Sequence, residues 1–326
     1  MIALIVILSI LGVLLIFLLV MSFIIHKKFF GYHGENDPDI TYFTKEEYGI
    51  NAREVSFKLD GKTLKGYIFE KENKYPDKLI VFCHGMWSTV DAYMQDIAFY
   101  VLNGYQVLAF NYYGVAKSEG KTVKGFKNSL ASADAALKYI KETPELKDKE
   151  IYVTGHSWGG YATINIVKYH PEVKKIAALS PFVSSFKITN ATFKGITKVF
   201  VPFIIFWDSF SFFKFFNVNG IRSLNNYKGK ALIVQSTDDQ IVPYKSGLKL
   251  LQGKVKNKNV KYMILDGKMH HPHYSDNAIK SMITFTESAR LLSGDALKEY
   301  KRNYNFHEMG ELDLNVMNRI LKFFNE

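Results

Sequence analysis

The chain has 326 residues, 48% of them hydrophobic, a formal net charge of +11 and one cysteine. That is apolar material for one large domain or two medium ones, and it excludes a disordered chain. The lone thiol, Cys83, excludes an intrachain disulfide and a cysteine-based metal cluster; the basic charge comes from scattered lysines, with no nucleic-acid-binding module beside them.

The first element in chain order is apolar. Ile2 to Ile25 carries no charge and is interrupted only by Ser9, Gly12 and Ser22. A helix of this length spans about 36 Å, against a hydrocarbon core of about 30 Å. It is too long for a signal-peptide core, lacks a basic leading region and an obvious small-x-small cleavage site, and has no polar face to lie on a soluble core. Residues 2–25 are therefore expected to be a retained, single-pass transmembrane anchor, a long cleaved signal being the alternative. Lys27 and Lys28 follow the run, which by the positive-inside rule puts the main domain in the cytoplasm. The net charge would suit an anionic inner leaflet. Residues 26–52, with Gly31, Gly34, Pro38 and many charges, read as a linker, and 53–326 as the main domain.

Strand signals come next. Glu54 to Leu59 and Leu64 to Glu70 flank Asp60-Gly61-Lys62, a hairpin pattern. Leu79–Cys83, Gln106–Phe110, Ile151–Thr154, Ile176–Leu179, Ala231–Gln235 and Val260–Leu265 are short, continuous apolar runs, as expected of strands buried on both faces. Helical spacing lies between them: Phe126, Leu130, Ala133, Leu137 and Ile140 share one face, Trp158 to Tyr169 forms a second helix, and Met317, Ile320, Leu321 and Phe324 form a terminal stripe capped by Asp313. Strands alternating with helices predict an α/β fold: a mostly parallel sheet covered on both sides, with the hairpin as an antiparallel edge.

Residues 182–227 break that rhythm. The segment is too long for one crossover helix and holds Phe193, Phe200, Phe203, Phe206, Trp207, Phe210, Phe212, Phe213, Phe215 and Phe216. Many of these must pack on one another, but the density exceeds what a connector needs. The expectation is a helical lid over an apolar binding pocket.

The chemistry is concentrated at Gly155-His156-Ser157-Trp158-Gly159, a G-x-S-x-G between a strand and a helix. That context suits a tight turn presenting a nucleophilic serine, with glycines letting strand and helix approach closely. A serine hydroxyl needs a base, and the base needs an orienting acid. Asp238 and Asp239 follow one strand and His270, His271 and His273 the next, so both groups reach the rim that carries Ser157. A metal reading of the three histidines lacks a partner acid or cysteine at ligand spacing. His156 reads as a packing or hydrogen-bonding residue. The oxyanion donors would be the N–H of Trp158 and that of Met86, in the loop Cys83-His84-Gly85-Met86-Trp87, where Gly85 would permit the turn.

From about Arg53 to the end, the chain resembles an α/β-hydrolase, near the bacterial esterase, monoacylglycerol-lipase and serine-aminopeptidase-like branch. The pieces that carry this are His84-Gly85-Met86, Asn111-Tyr112-Tyr113-Gly114 with Lys117-Ser118-Glu119-Gly120, Gly155 to Gly160, Asp239-Gln240-Ile241-Val242-Pro243 and Gly267-Lys268-Met269-His270. The resemblance favours Asp239 over Asp238 and His270 over His271. Where the family has Asp-x-Arg-Gly this chain reads Asn111-Tyr112-Tyr113-Gly114, a departure in a loop that shapes the site. The resemblance implies a serine hydrolase with Ser157, His270 and Asp239 as a catalytic triad, no metal and no organic cofactor. With the aromatic insertion and the anchor it points to an apolar acyl ester or lipid as substrate. A peptidase or thioesterase is the nearest alternative, and a catalytically silent, membrane-tethered interaction module the alternative from another class.

Overall fold

The computed structural model describes residues 1–326. Eight strands form one sheet in the order β1-β2-β4-β3-β5-β6-β7-β8. They are β1 (Asn51–Leu59), β2 (Lys62–Glu70), β3 (Lys78–Cys83), β4 (Gln106–Phe110), β5 (Glu150–His156), β6 (Lys175–Leu179), β7 (Lys230–Ser236) and β8 (Val260–Leu265). Strands β3 to β8 are parallel; β2 runs antiparallel to both β1 and β4. The β1–β2 hairpin pairs Leu59 with Lys62 across Asp60 and Gly61, both at positive φ (49° and 75°), the backbone of a two-residue type I′ turn.

Twelve α-helices accompany the sheet: α1 (Ile2–Phe30), α2 (Met94–Leu102), α3 (Asn128–Glu142), α4 (Trp158–Ile166), α5 (Ser185–Thr192), α6 (Val201–Ser209), α7 (Gly220–Asn226), α8 (Leu248–Lys254), α9 (Asp276–Ala289), α10 (Gly294–Asn303), α11 (Phe306–Met309) and α12 (Leu314–Asn325). Alternate residues of β3 feed two cores. Leu79, Val81 and Cys83 join the residues of α3 and α4, while Ile80 and Phe82 join those of α2 and α12. A strand apolar at every position is what two covered faces require. Helix α12 is capped as its sequence predicts, Asp313 accepting the N–H groups of Asn315 and Val316.

Two segments differ from their sequence pattern. The helix after the serine ends at Ile166 instead of Tyr169. The polar stretch 31–50 is no free spacer. Gly34 bridges to Val115, Asp37 and Asp39 form ion pairs with Lys301 and Arg302, and Phe43 packs edge-on against His307. Its charges have partners that lie far away in sequence, so composition alone reads it as solvated.

Helix α1 is long and apolar enough to cross a bilayer. Between β6 and β7 the chain leaves the sheet through α5, a 3₁₀ turn (Gly195–Phe200), α6 and a second 3₁₀ turn (Phe213–Phe215), then returns through α7, which packs against α4.

Candidate active site

Ser157 sits between β5 and α4 with φ 56° and ψ −110°. Such a backbone costs a non-glycine residue on the order of 1–3 kcal/mol and persists only where its surroundings enforce it. The enforcement is visible. A Cβ on Gly159 would lie 1.9 Å from the Cys83 carbonyl oxygen, and one on Gly155 2.6 Å from the same atom. Strand β3 thus presses against the turn from below, and the Ser157 N–H is tied to the Leu179 carbonyl at 2.8 Å. Cys83 itself is buried, and burial pushes its thiol up to about 12, so it packs as a small apolar residue.

His270 lies across the same cavity, in the loop after β8. Its Nδ1 is 3.0 Å from both carboxylate oxygens of Asp239, which leaves Nε2 as the ring atom free to meet a hydroxyl. Asp239 also accepts hydrogen bonds from Gln235 Nε2 and from the N–H groups of Ile241 and Val242. Burial alone would raise this carboxyl. The bonds and charge of His270, with Gln235 and the Val242 N–H, outweigh that and hold it below the ordinary carboxylate range. Asp238 points elsewhere, accepting the Met269 N–H at 3.2 Å. The structure thus brings Ser157, His270 and Asp239 to one rim, and gives Asp238 the task of shaping the histidine's loop.

Of the two backbone donors expected for an oxyanion, the Trp158 N–H opens α4, where first-turn N–H groups lack an intrahelical acceptor. Met86 lines the same cavity. Gly85 serves a different purpose from the one its sequence suggests. The left-handed residue of this loop is Trp87 (φ 56°), whereas a Cβ on Gly85 would meet the Tyr93 hydroxyl at 2.5 Å. Gly85 is small so that Tyr93 can reach in. The departure at Asn111-Tyr112 also has a local reason: Tyr112 donates to the His84 carbonyl and stacks on the His84 ring, and Asn111 accepts the Val90 N–H.

His156 joins these pieces. Its Nε2 is 2.8 Å from the His270 carbonyl, an acceptor only, so Nε2 carries the proton and Nδ1 accepts from Tyr93 Oη, also at 2.8 Å. Tyr93 in turn accepts the Gly85 N–H at 3.1 Å. Burial, then the neighbouring His270, push His156 down to about 3, so it stays neutral and this direction of bonding is fixed. Ser180 Oγ gives the His270 carbonyl a second donor. Tyr93, Ser180 and Gln235 carry no sequence signal; each is a common residue at an unremarkable position.

His271 lines the same cavity as Ser157, its ring 4.8 Å from that of His156, whereas His273 does not. Burial pushes both well below the ordinary histidine range, and His273 Nε2 lies 3.3 Å from Asp96 Oδ1 behind the site. Burial likewise pushes Asp96 up, to about 8, so it favours the uncharged form of both groups.

The cavity above Ser157 measures about 800 Å³ and is walled mostly by apolar side chains. Residues 182–227 contribute Phe182, Ile188, Ala191, Thr192 and Lys194. The rest of the wall includes Phe29 and Phe30 from the end of α1 and Ile40, Tyr42 and Phe43 from the segment that follows. Neither contribution is foreseeable from sequence, because nothing local marks a chain end that folds back over a site.

Comparison with known proteins agrees with this architecture. A family model described as serine aminopeptidase, S33 matches residues 74–205. An uncharacterized protein, R595, of Acanthamoeba polyphaga mimivirus is 23% identical over 222 residues, 64% of this chain and 73% of its own. Among solved structures, the Pyrococcus furiosus esterase Pf2001 superposes with a TM-score of 0.56 at 23% identity, covering 81% of this chain and 97% of the esterase. Est1E from Butyrivibrio proteoclasticus, solved with ferulic acid bound, superposes with a TM-score of 0.52 at 19% identity, covering 72% and 98%. These likenesses converge on one fold, that of the α/β-hydrolases.

Proposed function

We propose that the protein is a membrane-anchored serine hydrolase that cleaves carboxylic esters of apolar acyl groups, with Ser157, His270 and Asp239 as its triad. The observation that carries this reading is the two-oxygen contact of Asp239 with His270 Nδ1, where His270 lines the same largely apolar cavity as a serine held at positive φ. His270 Nε2 takes the Ser157 proton as Oγ attacks the acyl carbon. The carbonyl electron pair moves onto oxygen, and the N–H groups of Met86 and Trp158 stabilise that oxyanion. Collapse breaks the bond to the alcohol, which leaves with the proton from His270. Water then adds to the acyl-enzyme, gives its proton to His270, and the acid departs as Ser157 regains its hydrogen. Asp239, held ionised, keeps Nδ1–H pointed at itself and balances the imidazolium.

An apolar acyl group is favoured by the cavity wall. Retention of the anchor is favoured by its contacts: removing the helix as a signal would strip Leu19, Ser22 and Phe23 from Trp207. Lys27 and Lys28 at its domain end favour a cytoplasmic domain. A peptidase reading has one specific observation behind it: Glu35 and Asp91 lie in the cavity wall and could receive a substrate amine.

Labelling the full chain with a fluorophosphonate probe tests both readings. Wild type is expected to label, Ser157→Ala not, and acyl esters to compete. Competition by peptide amides alone would replace the esterase reading with the peptidase, and a wild type that fails to label would leave a silent interaction module.

A further inference from the structure

Helix α1 does not leave the domain cleanly. Ile2 to Phe17 projects away, exposed at every position except Gly12, but from Leu18 onward one side of the helix is covered. The cover is the 182–227 segment. Trp207 of α6 donates its Nε1–H to the Leu19 carbonyl (3.1 Å) and approaches Ser22 Oγ (3.2 Å), and its ring packs edge-on against Phe23. The 3₁₀ turn Gly195–Phe200 also touches α1.

Length then decides where α6 lies. Spanning the hydrocarbon needs about 20 helical residues, or about 30 Å at 1.5 Å each. The charge-free run reaches Ile25, and Lys27 and Lys28 mark its water-facing end. Counted back from that end, about 20 residues place Leu18 to Ser22, the stretch that α6 covers, within the span.

We infer that α6 and the turn before it are seated in the boundary of the bilayer that holds α1, so that the active-site cavity receives a membrane-resident amphiphilic ester sideways from the lipid. This rests on the anchored-hydrolase reading above. The surface of these elements suits that position. Ile196 is 89% exposed and Phe210 66%, and Val199 and Phe206 are exposed beside them. Such a patch on a free surface is costly in water and favourable at the acyl–headgroup boundary. Between residues 182 and 227 the only acid, Asp208, is buried under the Phe126 N–H, while Lys187, Lys194 and Lys198 stand exposed, as anionic headgroups would favour. The route is continuous, because Phe29 and Phe30 of α1 and Ile188, Ala191 and Lys194 of the insertion all line the cavity.

The test uses the full chain in phosphatidylcholine–phosphatidylglycerol vesicles. Cys83 is buried, so a cysteine introduced by Ile196→Cys, Phe210→Cys, Phe17→Cys or Lys258→Cys is the one accessible thiol for a bimane fluorophore. Nitroxide-labelled lipids are expected to quench bimane at 196, 210 and 17 and to spare 258, which lies in the loop before β8 on the opposite rim of the sheet. Quenching at 17 without quenching at 196 and 210 would overturn the inference and leave the anchor standing; absence at 17 would remove both. In parallel, the double substitution Ile196→Asp, Phe210→Asp should lower hydrolysis of a vesicle-resident long-chain ester about tenfold while sparing a short water-soluble ester. Equal loss on both esters would refute lateral access. Inertness of the wild type toward both would instead count against the hydrolase reading.

Discussion

Asp238 and Asp239 are one position apart and do different work. Asp239 grips the His270 ring, whereas Asp238 holds the loop that carries it, through the Met269 N–H. Asp239→Asn should therefore lower kcat about 10³- to 10⁴-fold by favouring the wrong imidazole tautomer, with KM little changed. Asp238→Asn, keeping an acceptor for Met269, should cost far less. Steady-state ester kinetics on both variants check the assignment, and equal losses would contradict it. Behind the site, Asp96 makes a prediction about pH. Its folded pKa is raised from 3.8 to about 8 by burial, so across that interval the folded chain keeps a proton that the unfolded chain has released. Stability therefore falls as pH rises from about 4 to about 8. Asp96→Asn should flatten that slope and raise Tm at pH 8 relative to wild type; a melting temperature lowered equally at pH 5 and pH 8 would refute a protonated Asp96.

At the scale of elements, the serine turn is held by contact between backbones. Strand β3 and the first turn of α4 approach so closely that a Cβ on Gly159 would sit inside the Cys83 carbonyl. Gly159→Ala must push these elements apart, at a cost of about 1–3 kcal/mol for overpacking, and it should also disturb the Trp158 N–H. The melting temperature and fluorophosphonate labelling of that variant should both fall; an unchanged Tm would mean that the two elements can part without cost. The insertion is likewise fastened. Lys214 pairs with Asp134 of α3 at 2.9 Å, and the Phe126 N–H and Lys127 ammonium bond to Asp208 and its neighbours. Any opening of this segment has to start in the part that faces α1 and the cavity, between α5 and α6.

Across the whole molecule, the end of α1 is part of the domain built on the sheet. Phe30 is 2% exposed, packs on Phe126 at 4.8 Å and belongs to the same core as β3 and α4. Phe30→Ala should lower the stability of the domain by about 3 kcal/mol, the range for emptying a buried phenylalanine site. Denaturant titration in detergent reads this directly, and no change in midpoint would show that the anchor is only a tether. Such a change would also reach the active site, since Phe30 lines its cavity.

What could be learned from the sequence alone follows from how local each signal is. Strand β4 matches its apolar run residue for residue, because burial on both faces demands an unbroken run; β8 has the expected bounds too, but as the edge strand it leaves Lys261 and Ile264 exposed. A resemblance favours Asp239 and His270 over their neighbours, and each of the two follows its own strand, which brings both to the rim of Ser157. Tertiary structure alone decided the rest. Tyr93 and Gly85, in the connection after β3, bond to each other and through Tyr93 to His156 at the end of β5; the stretch after α1 lines the cavity; α6 lies along α1. Apart from the Gly85–Tyr93 bond, which spans 8 positions, these contacts join residues from tens to nearly two hundred positions apart, and a pairing of ordinary residues over that distance leaves no periodicity or spacing in the chain to read.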